Sequence, residues 1–530
     1  MVYQLLIIKY FSVINKHLMG ITNFQPYIKE VYSKAVSDKF NVTYDNLYID
    51  LNFVLHHICY LSDNKNDMLD RFRDYLYGVT NLITPKKRLI LAADGPAPLA
   101  KMILQRERRL NSIKTFDEDK IDPNKKLNLC LTPGTEFMLG LEKELTGFIN
   151  YVKEKYTIDV LCFITDSDEG EIKIKRQIQK LQKKYPDDTH VAYSGDSDMI
   201  LLLFTCDDLS KIYQMINKDT IIHFGTIYDE HIRKFGKTDT TKNDFVLINL
   251  LMGNDYIPKV SYLKMSAVWE AYSILVKRKP TGLIECKDSN IKVDPIFFHD
   301  LLYISSKKTP THMIKRFKIT DLRCKSYYDY VQGLFWCFGM YISGVCSNRR
   351  YIYEHDSSPH ILGVMMTVLR HNTYTITTTP SIDIDLYGIL LIPEKANFLL
   401  SKEQLIIAKK LVEIHPIIYQ ETRCDICKEY SKTLAKLSKE NKLYAIGSDE
   451  KLNITKRIGK LSSKLSEHKE SHETFTIETI DAITKSFIEI REELREKISL
   501  NSESDSESDE ATTHNTYIPS QRNVIKKKLF

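Results

Sequence analysis

Short apolar runs recur along the first half of the chain, at 46–50, 88–94, 160–164 and 190–194. Runs of this length that are bounded by polar residues are typical of buried β-strands. Each run ends in an acidic residue or is followed closely by acidic residues. A longer apolar segment at 243–254 ends in the same way, directly before Asp255.

Segments with helical periodicity separate these runs, for example 53–60, 136–155 and 172–184. Strands that alternate with helices predict an α/β fold, in which a parallel sheet carries helices on both faces. In such sheets the ligand site lies outside the carboxyl ends of the strands. The acids that follow the predicted strands should therefore meet at one edge of the sheet.

The densest group of acids lies in the stretch Thr165-Asp-Ser-Asp-Glu-Gly-Glu-Ile-Lys173, which holds Asp166, Asp168, Glu169 and Glu171. Carboxylates packed this closely repel one another unless a cation lies between them. Asp50, Asp94, Asp196 and Asp198 also fall at predicted strand ends. Oxygen ligands suit Mg²⁺ or Mn²⁺, and two such ions roughly 3.5–4 Å apart support phosphodiester hydrolysis.

A basic helical face follows Asp94. Lys101, Gln105, Arg108 and Arg109 are spaced i, i+4, i+7 and i+8, which places them on one side of a helix. Two guanidinium groups beside a lysine and an amide can bind a phosphate group. A solvated basic face is the ordinary alternative. The position just beyond an acid-tipped strand favours a phosphate receptor close to the metals, which would make an enzyme act from a 5′ end.

Composition narrows the class of protein without identifying it. A chain of 530 residues is too long for one core, and a net charge of +6 does not by itself indicate a nucleic-acid partner. Its 10 cysteines indicate a reducing compartment, and Cys424 with Cys427 is at most half of a zinc site. We find no secretory signal and no membrane span, so we expect a soluble intracellular protein, cytoplasmic rather than nuclear.

Several motifs occur together and in order. They are Met19-Gly-Ile-Thr-Asn-Phe24, Asn46-Leu-Tyr-Ile-Asp-Leu-Asn52 with His56, Asp94-Gly-Pro-Ala-Pro-Leu-Ala-Lys-Met102 with Gln105-Arg-Glu-Arg-Arg109, Leu131-Thr-Pro-Gly-Thr-Glu-Phe-Met138, Glu169-Gly-Glu171, Asp196-Ser-Asp198 and Gly253-Asn-Asp255-Tyr-Ile-Pro258. Together they resemble the Xrn-type 5′→3′ exoribonuclease family, most strongly over 19–260. Weaker similarity to the family's second conserved region continues through Gly333-Leu-Phe-Trp336, Tyr341-Ile-Ser-Gly344 and Leu391-Ile-Pro-Glu-Lys395.

The resemblance implies a mixed, mainly parallel central sheet flanked by helices, of the PIN or 5′-nuclease type, followed by a mostly helical second region. It implies two Mg²⁺ ions, for which Mn²⁺ can substitute, held by Asp50, Asp94, Glu169, Glu171, Asp196, Asp198 and Asp255. It implies that Lys101, Gln105, Arg108 and Arg109 hold the 5′-phosphate of the RNA, and that His56 stacks on a base. The implied substrate is single-stranded RNA with a 5′-monophosphate, hydrolysed to mononucleotides in RNA turnover.

The chain departs from the family pattern at several positions. Phe53 replaces a glycine of the first block and crowds the approach to the site, and Asp168 and Ile172 replace the proline and histidine that flank the Glu-Gly-Glu core. Where the family usually has tryptophans the chain has Ser347-Asn-Arg-Arg350. Arg349 and Arg350 are therefore candidates to stack on a base or to bind phosphate.

The sequence divides into five predicted parts: an extension at 1–18, a catalytic domain at 19–262, a second region at 263–425 that packs on it, charged helices at 426–500, and a disordered acidic-serine and basic tail at 501–530. The chain is short for the family, so we expect its accessory domains to be absent. We expect a monomer, with a surface for a protein partner within 426–530.

Two other functions share these features. A structure-specific 5′ flap nuclease acting on DNA would use the same clustered acids, and a catalytically inactive scaffold would bind RNA without cutting it. The basic motif after Asp94 and the Leu131–Met138 motif favour the exoribonuclease over the flap nuclease. Because all seven metal-site acids are present, we expect an active enzyme.

Overall fold

The computed structural model describes residues 21, 24–38, 43–114, 127–287, 289–307, 325–353, 355, 358–419, 425–441, 444, 448–470 and 475–505. The predicted extension at 1–18, the Met19–Gly20 pair and Cys424 lie outside the described residues, as does the side chain of Cys427. Whether Cys424 and Cys427 are structural or form half of a zinc site is therefore not tested, and most of the predicted tail stays a prediction.

A seven-stranded sheet forms the centre of the molecule, with strand order β1-β7-β6-β5-β2-β3-β4. Its strands are β1 (Val36–Ser37), β2 (Asn46–Asp50), β3 (Arg88–Ala92), β4 (Asp159–Phe163), β5 (His190–Tyr193), β6 (Ile212–Asn217) and β7 (Thr220–His223). Strands β2 to β6 pair in parallel, and β7 pairs antiparallel with both β6 and β1. The predicted mixed, mainly parallel sheet is confirmed.

Twenty α-helices lie in the described part of the chain. They are α1 (Phe24–Val31), α2 (Leu51–Cys59), α3 (Lys65–Leu82), α4 (Leu99–Lys114), α5 (Leu127–Cys130), α6 (Glu136–Glu144), α7 (Thr146–Tyr156), α8 (Gly170–Lys184), α9 (Asp198–Phe204), α10 (Phe224–Phe235), α11 (Thr241–Leu250), α12 (Met265–Val276), α13 (Pro295–Ser306), α14 (Lys325–Ser343), α15 (Ile361–Val368), α16 (Ile384–Leu391), α17 (Lys402–Ile414), α18 (Asp425–Asn441), α19 (Asp449–Glu470) and α20 (Ile477–Asp505). A second, three-stranded antiparallel sheet is formed by β8 (Ile284–Lys287), β9 (Asn290–Val293) and β10 (Thr373–Thr375).

The central strands are apolar because both faces of the sheet are covered by helices. Strands β2 and β5 are buried at every residue, as expected for parallel strands with helices on both sides. Their register is matched as well, since Asp50 lies opposite Ala92 of β3 and Ile49 lies opposite Tyr193 of β5. The carboxyl ends of the three strands therefore reach the same edge of the sheet.

Some boundaries differ from the sequence-based expectation. The predicted helix at 136–155 is two helices, α6 and α7, which divide at Leu145 directly before Thr146 and Gly147, residues of low helix propensity. The hairpin of β6 and β7 was not predicted. Helix α20 continues to Asp505, so it includes the first residues of the segment for which disorder was predicted.

The hydrophobic core is shared between the helices around the central sheet and the helices that follow them. One continuous cluster joins Ile200 of α9 and Phe245 of α11 to Trp269 of α12, Phe298 of α13 and Trp336 of α14. The packing thus crosses the domain boundary predicted at 262–263. No helix among the described residues is long and apolar enough to cross a membrane.

Arg106 joins helix α4 to the C-terminal helices. It is 1% exposed, and its guanidinium group donates hydrogen bonds to the carbonyl oxygens of Leu390 and Ile418, the latter at 2.6 Å. Its face also lies over the ring of Phe475, 4.5 Å from the ring centroid. Burial lowers the pKa of Arg106 to about 10, so the group remains charged at neutral pH. Within the Gln105–Arg109 motif this arginine is structural.

Replacing Arg106 should therefore destabilise the protein. Arg106→Met keeps most of the side-chain volume but leaves two buried carbonyl oxygens without this donor, which should cost about 3 kcal/mol of unfolding free energy. Urea unfolding followed by circular dichroism measures the change. The control Arg71→Met removes an exposed ion pair with Asp67 on α3, and should cost no more than about 0.5 kcal/mol. Equal effects of the two substitutions would contradict the structural role.

Candidate active site

The end of β2 supplies the first acid of the site. Asp50 is the N-cap of α2, where its Oδ1 accepts a hydrogen bond from the Phe53 amide at 3.2 Å. Its second oxygen accepts a hydrogen bond from Ser194 Oγ, just after β5, at 2.9 Å. The first turn of α2 and the residue after β5 thus hold this side chain at the edge of the sheet where the parallel strands end.

The loop after β3 positions Asp94. Its amide donates to Asn52 Oδ1 at 2.9 Å, and its carboxylate accepts from the Gly170 amide at 2.9 Å. Gly95 follows, and a Cβ at this position would lie 1.8 Å from the carbonyl oxygen of Asp166. The glycine therefore lets the β3 loop pass directly beneath the loop that follows β4. Lys173 joins the same two loops by donating to the carbonyl oxygen of Ala93 at 2.7 Å and to that of Phe163 at 3.3 Å.

Glu169 and Asp255 meet at a buried lysine. Lys101 Nζ lies 2.7 Å from Glu169 Oε1 and 2.5 Å from Asp255 Oδ2. The Tyr256 hydroxyl donates to the other oxygen of Glu169, and Arg108 Nη2 lies 3.4 Å from Asp255 Oδ1. The basic face of α4 is thus in direct contact with the acids. Lys101, expected to hold a phosphate, lies among the carboxylates.

The loop after β5 supplies two more acids. The Asp198 amide donates to Asp196 Oδ1 at 3.0 Å, which fixes the two residues relative to each other at the start of α9. Asp198 itself accepts from the Tyr341 hydroxyl at 2.8 Å and from the Ile21 amide at 3.2 Å. Two residues far apart in sequence, Ile21 and Tyr341 of α14, therefore contact the same carboxylate.

Electrostatics show that the acids crowd one another. Burial, and next the charge of Asp94, raise the pKa of Asp50 to about 7. Burial raises the pKa of Asp196 to about 6. Burial also raises the pKa values of Glu169, Glu171 and Asp198, and in Glu171 and Asp198 the charge of Asp196 is the next largest cause. For Lys101, burial lowers the pKa, but the charges of Asp255 and Glu169 outweigh it and the pKa is raised.

The donor set fits hard divalent cations. Every predicted ligand offers carboxylate oxygen, and neighbouring carboxylates add to the effect of burial in raising the pKa values of Asp50, Glu171 and Asp198. Among the described residues, however, no three or more His, Cys, Asp or Glu side chains stand in the geometry of a preformed metal site. The structure brings the acids to one edge, with Lys101 between Glu169 and Asp255.

The remaining phosphate-binding candidates lie along α4. Gln105 is buried and accepts a hydrogen bond from the Tyr387 hydroxyl at 2.9 Å, while Arg109 Nε donates to Thr132 Oγ1 at 2.6 Å. Arg108 and Arg109 remain partly exposed and influence each other and His56 electrostatically. Burial, and next the charge of Arg109, lower the pKa of His56 to about 4, so His56 is neutral at neutral pH.

Phe53, Arg349 and Arg350, which depart from the family pattern, all contact other residues of the protein. The Phe53 ring packs against Tyr193, with ring centroids 5.7 Å apart, and lies so close to Gly195 that a Cβ there would be 2.4 Å from it. Arg349 and Arg350, candidates for base stacking or phosphate binding, are both in ion pairs. Arg349 pairs with Asp168, and Arg350 pairs with Asp481 of α20.

Sequence reasoning missed several residues that touch the acids. Ser194, Lys173, Tyr256 and Tyr341 all contact the acid-bearing loops or the acids themselves. Tyr256 and Tyr341 lie inside motifs that were recognised, one residue after Asp255 and at the start of the Tyr341–Gly344 motif. A polar aromatic residue inside a site motif is thus a signal that could have been used. Ser194 and Lys173 carry no comparable signal.

Known proteins resemble the part of the chain that carries most of this site. Residues 19–210 match the family model described as "XRN 5'-3' exonuclease N-terminus". The relative named 5'-3' exoribonuclease 1 of Homo sapiens is 28% identical over 311 residues, which cover 47% of this chain and 18% of the relative. The 5'-3' exoribonuclease 2 of Gallus gallus is 30% identical over 202 residues, which cover 30% of this chain and 20% of the relative. The resemblance to the Xrn-type family is therefore confirmed for this part of the chain.

These matches cover a small part of the relatives. The 5'-3' exoribonuclease 1 of Saccharomyces cerevisiae is 26% identical over 307 residues, which cover 47% of this chain and 20% of the relative. The chain thus spans about a fifth of the length of the curated relatives it matches.

Solved structures with some likeness include the catalytic core of Rad2 in complex with DNA substrate, at TM-score 0.30 and 11% identity, covering 74% of this chain and 99% of that one. The flap endonuclease of bacteriophage T5, in a complex with DNA and metal ions, has TM-score 0.27 and 12% identity, covering 69% of this chain and 99% of that one. At these TM-scores the likeness carries no conclusion about this chain.

The crowded acids predict an unusual dependence of stability on pH. With divalent ions removed by EDTA, the folded protein holds more protons than the unfolded chain between the ordinary aspartate pKa near 3.8 and the raised value of about 7 for Asp50. The free energy of unfolding should therefore fall as pH rises through this window. Thermal unfolding in EDTA at about pH 5 and about pH 8, each with and without Mg²⁺, measures this.

Neutralising one acid should stabilise the metal-free protein. In EDTA at about pH 8, Asp196→Asn should raise the unfolding free energy by about 2 kcal/mol, because one buried charge with a raised pKa is removed. The gain should shrink at about pH 5, where wild-type Asp196 is largely protonated. Asp166→Asn, an exposed acid of the loop after β4, is the control and should change little. A wild type that is equally stable at both pH values would contradict the crowding.

Proposed function

We propose that the protein is a 5′→3′ exoribonuclease that hydrolyses single-stranded RNA with a 5′-monophosphate to mononucleotides, in RNA turnover. The observation that carries the proposal is the contact between the two predicted parts of the site. The acids at the strand ends touch the basic face of α4 through Lys101 and Arg108. A group bound by the arginines of α4 would lie beside the acids.

Two Mg²⁺ ions are the proposed cofactors, with Mn²⁺ able to substitute. Asp50, Asp94, Glu169, Glu171, Asp196, Asp198 and Asp255 would hold them. Bound there, such ions lower the pKa of a water molecule and stabilise the charge on the leaving oxygen. The family match and the names of the curated relatives support this chemistry for the catalytic region.

The chain's own residues would bind and orient the RNA. Arg108 and Arg109 present partly exposed guanidinium groups, which suit the doubly charged terminal phosphate. Gln105 would help to bind the terminal phosphate, with its side chain oriented by the hydrogen bond from the Tyr387 hydroxyl. His56 is neutral and partly exposed next to the two arginines, so it can stack on the first base without adding to their charge. Lys101 would stabilise negative charge between the receptor and the acids.

A time course on one RNA sequence tests the proposal. Single-stranded RNAs with a 5′-monophosphate, 5′-hydroxyl or 5′-triphosphate would be incubated with the protein in Mg²⁺ and in EDTA, beside a DNA of the same sequence. The monophosphate RNA should be lost selectively to mononucleotides, and EDTA should abolish the reaction. Asp196→Asn should reduce the rate by about 1,000-fold, whereas Asp166→Asn should not.

The receptor predicts a separate effect on end selection. Arg109→Gln should reduce the preference for a monophosphate over a hydroxyl end by about 30-fold, the value of one charge-assisted contact, while degradation of the hydroxyl RNA changes little. Arg71→Gln, on the exposed surface of α3, is the control and should keep the preference. Equal cutting of all ends, or preference for flapped DNA, would favour the DNA 5′ nuclease. RNA binding without cleavage would favour the inactive scaffold.

A further inference from the structure

The loop that carries Glu169 and Glu171 contains a strained residue. Asp168 has a backbone φ angle of 83°, in the left-handed region that residues other than glycine rarely adopt. Such a backbone conformation persists only where surrounding contacts hold it. Because Asp168 directly precedes Glu169, whatever holds Asp168 also fixes the direction in which the loop presents its two glutamates.

Two arginines hold the Asp168 carboxylate. Its side chain is 2% exposed, and Arg349 Nη2 lies 2.5 Å from Oδ1 while Arg176 pairs with Oδ2. Arg176 belongs to α8, which begins in the same loop, so it holds the loop to its own helix. Arg349 comes from the segment between α14 and α15 and is remote in sequence. A buried carboxylate needs such partners, because its charge is otherwise uncompensated.

Arg349 also reaches the second acid-bearing loop. Its Nη1 donates to the carbonyl oxygen of Pro96 at 3.2 Å, in the loop that begins with Asp94. The Asp168 amide donates to the same Pro96 oxygen at 3.1 Å, and the Gly95 amide donates to the Asp168 carbonyl oxygen at 2.9 Å. The guanidinium group of Arg349 thus contacts both the loop that carries Asp94 and the loop that carries Glu169 and Glu171.

The backbone of Arg349 is itself fixed. Its amide donates to Thr379 Oγ1 at 2.7 Å, and its carbonyl oxygen accepts from the Leu99 amide at 2.8 Å, at the first residue of α4. Arg349 therefore connects the acid-bearing loops to the helix of the phosphate receptor. Its side chain is 11% exposed, and both terminal nitrogens already contact Asp168 or Pro96. The guanidinium group therefore has little exposed surface with which to bind RNA.

We propose that Arg349 is a positioning residue that, by pairing with Asp168, holds the Asp94 loop and the Glu169–Glu171 loop at the spacing required for divalent-ion binding. The inference rests on the proposed function for its catalytic consequence. Through the Arg349 side chain, the second region of the chain takes a direct part in building the active site.

Steady-state kinetics on monophosphorylated RNA test the consequence. Arg349→Met should lower kcat by about tenfold and raise the Mg²⁺ concentration needed for half-maximal activity by a similar factor, the scale seen when a partner of a metal ligand is removed. KM for the RNA and the 5′-end preference should not change, because Arg108 and Arg109 are untouched. Arg349→Lys should retain most activity. Arg71→Met, which breaks the exposed ion pair with Asp67 on α3, is the control and should leave these values unchanged.

Hydrogen exchange provides a test that needs no catalysis. In EDTA, the Gly170 amide and its neighbours in the loop should exchange faster in Arg349→Met than in wild type, while the central strands exchange at the same rate. Asp168→Asn keeps the shape of the side chain and tolerates positive φ, so it should fold and give the same local change. The two substitutions combined should have no greater effect than either alone.

The outcomes separate the two proposals. Unchanged exchange and unchanged Mg²⁺ dependence in both Arg349→Met and Asp168→Asn would overturn the positioning role. A raised KM or a lost end preference, with normal Mg²⁺ dependence, would also overturn it, since Arg349 would then be a residue that binds RNA. If the wild type degrades no RNA, the proposed function fails, and the exchange experiment still decides whether Arg349 holds the loop.

Discussion

The structure depends on a conflict between burial and charge at one edge of its sheet. Parallel strands with matched register bring Asp50, Asp94 and the two acidic loops together at an edge where most of the acids are buried or half-buried. Burial raises the pKa values of Asp50, Glu171 and Asp198, and the charges of neighbouring carboxylates raise them further. The protein holds this arrangement with hydrogen bonds from serine, tyrosine and backbone donors, and with two buried lysines, Lys101 and Lys173. Divalent cations would remove the conflict altogether.

The second region of the chain helps to hold the acid-bearing loops in place. Its helices share a continuous core with the helices around the central sheet, and Tyr341 of α14 donates to Asp198. Arg349 reaches the loop before Glu169 from the same region. Helix α4 receives support from the other side, where Arg106 is anchored on the carbonyl oxygens of Leu390 and Ile418. The site is therefore assembled from segments far apart in sequence, and its geometry depends on their packing.

The sequence predicted the parts of this site that follow from periodicity and strand direction. Apolar runs that end in acids located Asp50 and Asp94, and helical spacing placed Arg108 and Arg109 on one face. Spacing along a helix does not tell which groups that face meets, so the contact of Lys101 with Glu169 and Asp255 was not predicted. Arg349 looked free to bind RNA because its partner, Asp168, lies far away in the sequence. Such pairs become visible only when the tertiary packing is known.

The proposed function requires that the crowded acids bind divalent ions. Titration calorimetry with Mn²⁺ at about pH 7.5, where most of these carboxyls can ionise, measures this directly. Wild type should bind about two ions per chain with saturation, and Asp196→Asn should lose at least one of them while Asp166→Asn binds as wild type does. Binding that does not saturate, or that is the same in all three proteins, would contradict the account.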